Sequence, residues 1–246
     1  MHDLTGKAAL VTGGSRGIGA AIAERLADLG ADVAVTYARS RERADEVAER
    51  IAAKGRRASA IRADSGAADE VLAAVEQTVA TFGRLDILVN NAGIFPFGPV
   101  EEVSIEEIDR ALAVHARAAF LASQAAVGHL PPGGRIVSIG SNLAERVPFP
   151  GVTLYAMSKS ALIGFTKGLA RDLGDRDITV NLVQPGSTDT DMNPADAPDA
   201  DGQRALSALG RYAAAGDIAD AVAFLAGAGA ANITGAVLTV DGGTNA

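Results

Sequence analysis

Tyr155 and Lys159 stand four residues apart in a stretch, Leu154 to Leu173, whose apolar spacing predicts a helix. Residues i and i+4 share a helix face, so the phenol and the ammonium project to the same side. A free tyrosine titrates at about 10, too high for easy proton exchange near neutrality. An adjacent ammonium is expected to stabilise the phenolate and lower that value. A phenol tuned in this way can give a proton to a nearby oxygen and take it back. A second chemical feature lies near the start of the chain. Thr12-Gly13-Gly14-Ser15-Arg16-Gly17-Ile18-Gly19 separates an apolar strand pattern from a helical one. Glycines there permit a tight turn and let backbone N–H groups approach an anion. The following helix directs its positive end at the same place, and a strand, glycine turn and helix in that order form a phosphate cradle.

The elements that must position these groups follow from hydrophobic periodicity. Strands are expected at Lys7–Thr12, Asp32–Tyr37, Arg57–Arg62, Ile87–Asn90, Arg135–Ile139, Thr179–Gln184 and Ala236–Val240. Helices are expected at Ile18–Leu29, Ser40–Lys54, Ala67–Phe82, Ser104–Gly128, Leu154–Leu173 and Ala215–Leu225. This alternation implies an α/β fold, a doubly wound parallel sheet of about seven strands with helices on both faces. No linker or repeat interrupts it, so residues 1–246 read as a single domain. The exception is Ser187–Arg211, rich in Asp, Pro, Ala and Gly. It lies beyond a strand's carboxyl end, where such folds carry a substrate lid.

Composition removes several alternatives. The 246 residues contain no cysteine, which excludes disulfides, thiolate catalysis and cysteine-bound zinc. His2, His115 and His129 form no metal-ligand spacing, so no metal is expected. A formal charge of −8 argues against a nucleic-acid or membrane-surface role. No signal-peptide pattern and no membrane-spanning apolar run are seen, so the expected location is the cytoplasm.

The glycine spacing Gly13-x-x-x-Gly17-x-Gly19 is wider than the common dinucleotide fingerprint and resembles the short-chain dehydrogenase/reductase family, in its compact single-domain branch. Other pieces occur in family order over essentially the whole chain: Asp64, Asn90-Asn91-Ala92-Gly93, Ser141, Tyr155-Ala156-Met157-Ser158-Lys159, Pro185-Gly186 and Asp241-Gly242-Gly243. The resemblance implies a Rossmann-like fold and hydride chemistry. Tyr155 would be the proton donor, Ser141 would orient the carbonyl oxygen, and Lys159 would also hold the nicotinamide ribose. The glycine turn, with Ser15, Arg16 and Ile18, would cradle the phosphates.

The end of the second strand reads Tyr37-Ala38-Arg39-Ser40 and has no acid to bind a ribose 2′-hydroxyl. Arg39, helped by Ser40 and Arg16, suits a 2′-phosphate instead, which favours NADP(H). Asp64 with Ser65 is expected at the adenine edge, and Asn91, Ala92 and Gly93 along the adenosine ribose. Pro185, Gly186, Thr188 and Thr190 would wrap the nicotinamide and phosphates, whereas Asp189 and Asp191 read as loop or cap residues. One position departs from the family pattern, since His115 stands where an asparagine is usual. It is either an inert, satisfied histidine or a proton relay.

Reduction of a ketone or 3-oxoacyl group with NADPH is the leading reading, and the nearest resemblance is to 3-oxoacyl-carrier-protein reductases. A carrier-protein substrate would need basic docking residues; only Arg135 and Arg176 offer themselves. Oxidation of an alcohol, or a nucleotide-binding sensor with impaired catalysis, are the alternatives. The resemblance also implies a homo-oligomer, commonly a tetramer, assembled through the two long helices and the last strand.

Overall fold

The computed structural model describes residues 3–246, so Met1 and His2 lie outside the described residues. Four apolar residues, Ala8–Val11, form β1 and are buried on both faces. A parallel strand covered on both sides needs a continuous apolar run of this kind. The chain continues through α1 (Gly17–Asp28), β2 (Asp32–Tyr37), α2 (Arg41–Ala53), β3 (Ala58–Arg62), α3 (Ala68–Phe82) and β4 (Ile87–Asn90). It then forms α4 (Ile105–Leu112), α5 (Ala118–Val127), β5 (Arg135–Ile139), α6 (Thr153–Leu173) and β6 (Thr179–Pro185). A short pair, β7 (Thr188–Asp189) and β8 (Ala213–Ala214), flanks α7 (Ala200–Leu206); α8 (Ala215–Ala226) and β9 (Val237–Val240) complete the chain.

Seven strands make one parallel sheet in the order β3-β2-β1-β4-β5-β6-β9. Successive strand residues point to opposite faces, so β1 serves two cores. Ala9 and Val11 join Ile22, Leu26, Val47, Val222 and Leu225 beneath α1, α2 and α8. Ala8 and Leu10 join Val75, Phe82, Ala122 and Leu173 beneath α3, α5 and α6. The direction of winding reverses between β1 and β4, which pair directly. The crevice beyond the carboxyl ends at such a reversal is where open α/β sheets receive ligands.

Two features differ from the sequence expectation. The helix expected over Ser104–Gly128 is broken: a capping box between Ser104 and Glu107 starts α4, and residues Ala113–Arg117 form a π turn before α5. One wide turn lets the flanking helices face different neighbours, and such turns gather at functional sites. The segment 187–211 is also partly ordered by β7 and α7, and β7 pairs with β8 just beyond it. No helix is long and apolar enough to cross a membrane among the described residues.

Candidate active site

The glycine turn closes β1 against β4. Gly17 has φ 53, a left-handed conformation that a residue with a side chain adopts only under strain. A β-carbon on Gly19 would collide with the Gly13 carbonyl oxygen and the Asn91 amide. Two hydroxyls to which the sequence pattern assigns no role hold the turn. Thr12 Oγ1 accepts from the N–H groups of Asn91 (2.9 Å) and Ala92 (3.1 Å), and Thr36 Oγ1 accepts from Gly13 N–H (2.9 Å). Thr12 sits at the strand end and Thr36 within β2, positions whose hydroxyls would have no reason to be there in an apolar strand; that was the available signal. The amino end of α1 has no side-chain cap and no acid in its first turn. Its positive end is thus left for a ligand's anion, and the residues fit a dinucleotide diphosphate.

Around this cradle the expected residues divide. Arg16 and Arg39 are exposed, and Ser40 precedes α2 without spending its hydroxyl on the helix end. Ser15 and Ile18 lie in the turn and first helical residues, half-buried. Tyr37, by contrast, packs into the core and presents its backbone rather than its ring. The Asp64 carboxylate is gripped by both Arg110 terminal nitrogens (2.8 and 3.2 Å) and by Gly66 N–H. Arg110 holds its pKa below the ordinary carboxylate value. Asp64 therefore organises its own loop, with Ser65 following it in the chain. The Asn91 amide is likewise spent on the carbonyls of Thr12 and Gly13. It fastens β4 to the glycine turn, and Ala92 and Gly93 follow it in the same loop.

At the carboxyl end of β5 three side chains meet. Ser141 is 6% exposed and accepts the Leu143 N–H (3.2 Å). Tyr155, in the first turn of α6, also hydrogen-bonds to Ser141. Lys159, one turn later, is buried and donates to the Ile139 carbonyl oxygen (2.9 Å). Its Nζ lies 5.9 Å from the centre of the Tyr155 ring. Burial lowers the Lys159 ammonium to about 8 and raises Tyr155, with the Ser141 hydrogen bond pulling Tyr155 partly back. The expected depression of Tyr155 by Lys159 is thus overturned in this structure. Both groups are desolvated, and the ammonium is directed at Ile139 rather than at the phenol. Beyond these residues, Pro185 ends β6, Gly186 lies against Asp241, and Thr188 donates to the Gly186 carbonyl. Thr190 crosses over Gly17.

His115 lies in the π turn, 2% exposed. Its Nε2 accepts the Ile94 N–H (3.0 Å), so in the neutral ring the proton is on Nδ1. Nδ1–H then donates to Ser158 Oγ (2.8 Å), and Ser158 donates to the Tyr155 carbonyl oxygen (2.8 Å). Burial, with Lys159 nearby, drops its pKa to about 3. A ring that stays neutral and has both nitrogens engaged braces the loop after β4 against α6. This supports the satisfied histidine over the proton relay. Replacing His115 with alanine strands the Ile94 N–H, and we expect a loss of about 1–3 kcal/mol at pH 7 by chemical denaturation. That gap should narrow as pH falls below about 6.5, because only the wild-type unfolded chain gains a proton on this imidazole there.

The family model described as Enoyl-(Acyl carrier protein) reductase matches residues 13–245. A short-chain dehydrogenase from Burkholderia cenocepacia J2315, solved in complex with NADP, is 60% identical and superimposes with a TM-score of 0.98 over 99% of both chains. The chain belongs to the short-chain dehydrogenase/reductase family. Among its curated relatives, the cyclic-di-GMP-binding biofilm dispersal mediator protein of Escherichia coli (strain K12) is 45% identical over 98% of each chain. Versicolorin reductase 1 of Dothistroma septosporum is 42% identical over 98% of this chain and 96% of its own. This short-chain dehydrogenase/reductase is an NADP-dependent oxidoreductase, and carbonyl reduction is its general chemistry.

Proposed function

We propose that the protein reduces an apolar, ring-bearing ketone to a secondary alcohol, with Tyr155 as proton donor, in the cytoplasm. The observation that carries this reading is an aromatic wall built onto the catalytic tyrosine. Phe95 packs edge-on against Tyr155 (centroids 4.8 Å apart), and Phe97 stacks beyond it (6.2 Å). Phe95 and Phe97 are 41% and 68% exposed, an apolar surface that a flat substrate would cover.

Gly13–Gly19, Ala92 and Gly93 would hold NADPH, with Arg16, Arg39 and Ser40 toward its 2′-phosphate, and the bound cofactor would supply the hydride to the carbonyl carbon. As negative charge grows on the carbonyl oxygen, the Tyr155 hydroxyl gives its proton to it, closing the new O–H bond. The Ser141 oxygen accepts Leu143 N–H, and the Ser141 proton, directed at Tyr155 here, would turn to the same oxygen once a carbonyl is bound and fix its position. The Lys159 ammonium offers two further protons beyond the one given to Ile139, enough to bind ribose hydroxyls and to hold positive charge near the developing phenolate. Oxidation of the alcohol is the same path reversed.

Carrier-protein delivery finds less support. Arg135 is buried, and Arg176 is engaged by the Val127 and Leu130 carbonyls. Copies of the chain would associate through α5 and α6, where Phe120, 56% exposed, leans on Phe165. NADPH oxidation measured with bicyclic aromatic ketones, small aliphatic ketones and a 3-oxoacyl thioester tests the proposal. The expected order is aromatic first, and Phe95→Ala should lower kcat/KM for aromatic ketones by about tenfold or more. A preference for the thioester would replace this reading with carrier-linked reduction. The name of the E. coli relative favours one further arm: tight cyclic-di-GMP binding without turnover of any ketone would make the protein a nucleotide sensor.

A further inference from the structure

Arg43 stands in the first turn of α2, and Asp191 at the tip of a tight turn in which Thr190 and Asn193 bridge. The two side chains form an ion pair across 148 residues of sequence. Arg16 NH1, from the glycine turn, lies 3.9 Å from the same carboxylate oxygen. Arg43 first, then Arg16, holds the Asp191 carboxyl below its ordinary range. This carboxylate therefore sits between two arginines where the glycine turn and the start of α2 approach each other, directly after Arg39-Ser40. The neighbouring Thr190 methyl would be 3.3 Å from a β-carbon on Gly17, so the segment lies across the phosphate turn itself. An anion gripped by two guanidiniums at this place reproduces what a phosphate monoester would do there. The grip is also exchangeable. Arg16, Arg43 and Asp191 have side chains 56%, 52% and 50% exposed, and ion pairs in water are weak. A phosphate brings more charge and three acceptor oxygens.

We propose that Arg43 is a specificity-determining residue for the 2′-phosphate of NADPH, and that Asp191 competes with that phosphate for Arg43 and Arg16. The inference rests on the placement of the 2′-phosphate beside Arg16 and Arg39 argued above. NADH brings nothing to exchange for Asp191. The segment after β6 is thus fastened to the glycine turn by a bond that NADPH releases and NADH leaves in place. Asp191 belongs to cofactor selection and is more than a loop or cap residue, whereas Asp189 serves its loop, accepting the Ala195 N–H.

Direct binding, read by nicotinamide fluorescence with NADPH and NADH, tests this on wild type, Asp191→Asn, Arg43→Ala, the double variant and Arg39→Ala, each first shown to melt cooperatively. Asp191→Asn should tighten NADPH about three- to tenfold and leave NADH within about twofold. Arg43→Ala should weaken NADPH by about fivefold or more with NADH again near unchanged, and Arg43→Lys should recover part of the loss. In the double variant, most of the gain from Asp191→Asn should vanish, because its main partner is gone. Unchanged or weaker NADPH binding in Asp191→Asn, or equal tightening of both cofactors, overturns the competition. Equal losses for both cofactors in Arg43→Ala overturn its phosphate role. If Arg39→Ala is selective and Arg43→Ala is not, the inference fails while the placement of the phosphate stands; if neither is selective, the placement itself fails.

Discussion

Tyr155→Phe should remove nearly all turnover, by about three orders of magnitude in kcat, while NADPH affinity stays within a few-fold. The substitution deletes one oxygen and keeps the ring. The edge contacts with Phe95 and with His115, at 5.7 Å between centroids, need only the ring, so the variant should fold. What disappears is the proton that must reach the carbonyl oxygen as hydride arrives at carbon. Ser141 cannot replace it, since an aliphatic hydroxyl is a far weaker acid than a phenol. Single-turnover absorbance at saturating NADPH and ketone measures the chemical step directly. A variant retaining a tenth of wild-type turnover would remove Tyr155 from the role of proton donor.

The second large effect concerns Lys159, where activity and stability should move in opposite directions. Its ammonium is buried and its pKa falls from 10.5 to about 8, so at neutral pH the folded state carries a desolvation cost of about 3 kcal/mol. Lys159→Met removes that cost but leaves the Ile139 carbonyl without its donor, worth about 1–3 kcal/mol. The variant should be as stable as wild type or more so at pH 7, and lose activity by a factor of about a hundred or more. The comparison has a signature in pH. Between about 8 and 10.5 the unfolded wild-type chain holds a proton on this amine that the folded chain has given up. Wild-type stability therefore gains on the variant as pH rises through that window. Denaturant melts at pH 7 and pH 10 measure the gap. The same amine predicts that kcat/KM for reduction falls with unit slope above about pH 8, and Lys159→Arg should move that fall upward if Lys159 causes it.

The sheet was legible because each strand is a short apolar run between turn residues. β2, β4 and β5 begin and end at the residues the pattern marks. The seven-strand parallel arrangement followed from alternation alone. Ser141, Tyr155 and Lys159 converge as the motifs imply, because each stands at a strand end or one helical turn from its neighbour. Other features depend on tertiary proximity that no local pattern encodes. The direction of the Tyr155 shift is set by how much protein surrounds the phenol. The pairing of Arg43 with Asp191 spans most of the chain and joins two exposed charges. The spending of Asp64 and Asn91 on loop geometry is visible only once Arg110 and Thr12 are in place.

The π turn at Ala113–Arg117 acts as an indexing device between two helices. A continuous α-helix advances by about 100° per residue, so one extra residue in a single turn resets the phase of everything downstream by about that angle. Ser104 through Val127 therefore carries two apolar stripes written in different frames. One frame sets Ala111 inward from α4, and the other sets Ala118, Ala122 and Ala126 inward from α5. Rewinding the turn as ordinary α-helix with all its residues kept would rotate α5 by about 100° and turn its alanine seam out of the sheet, whereas deleting one residue would leave α5 in its present phase. A substitution that straightens the turn therefore miswrites a whole helix, while a one-residue deletion there displaces only His115 and its neighbours. Winding, more than length, is what this segment transmits to the rest of the molecule.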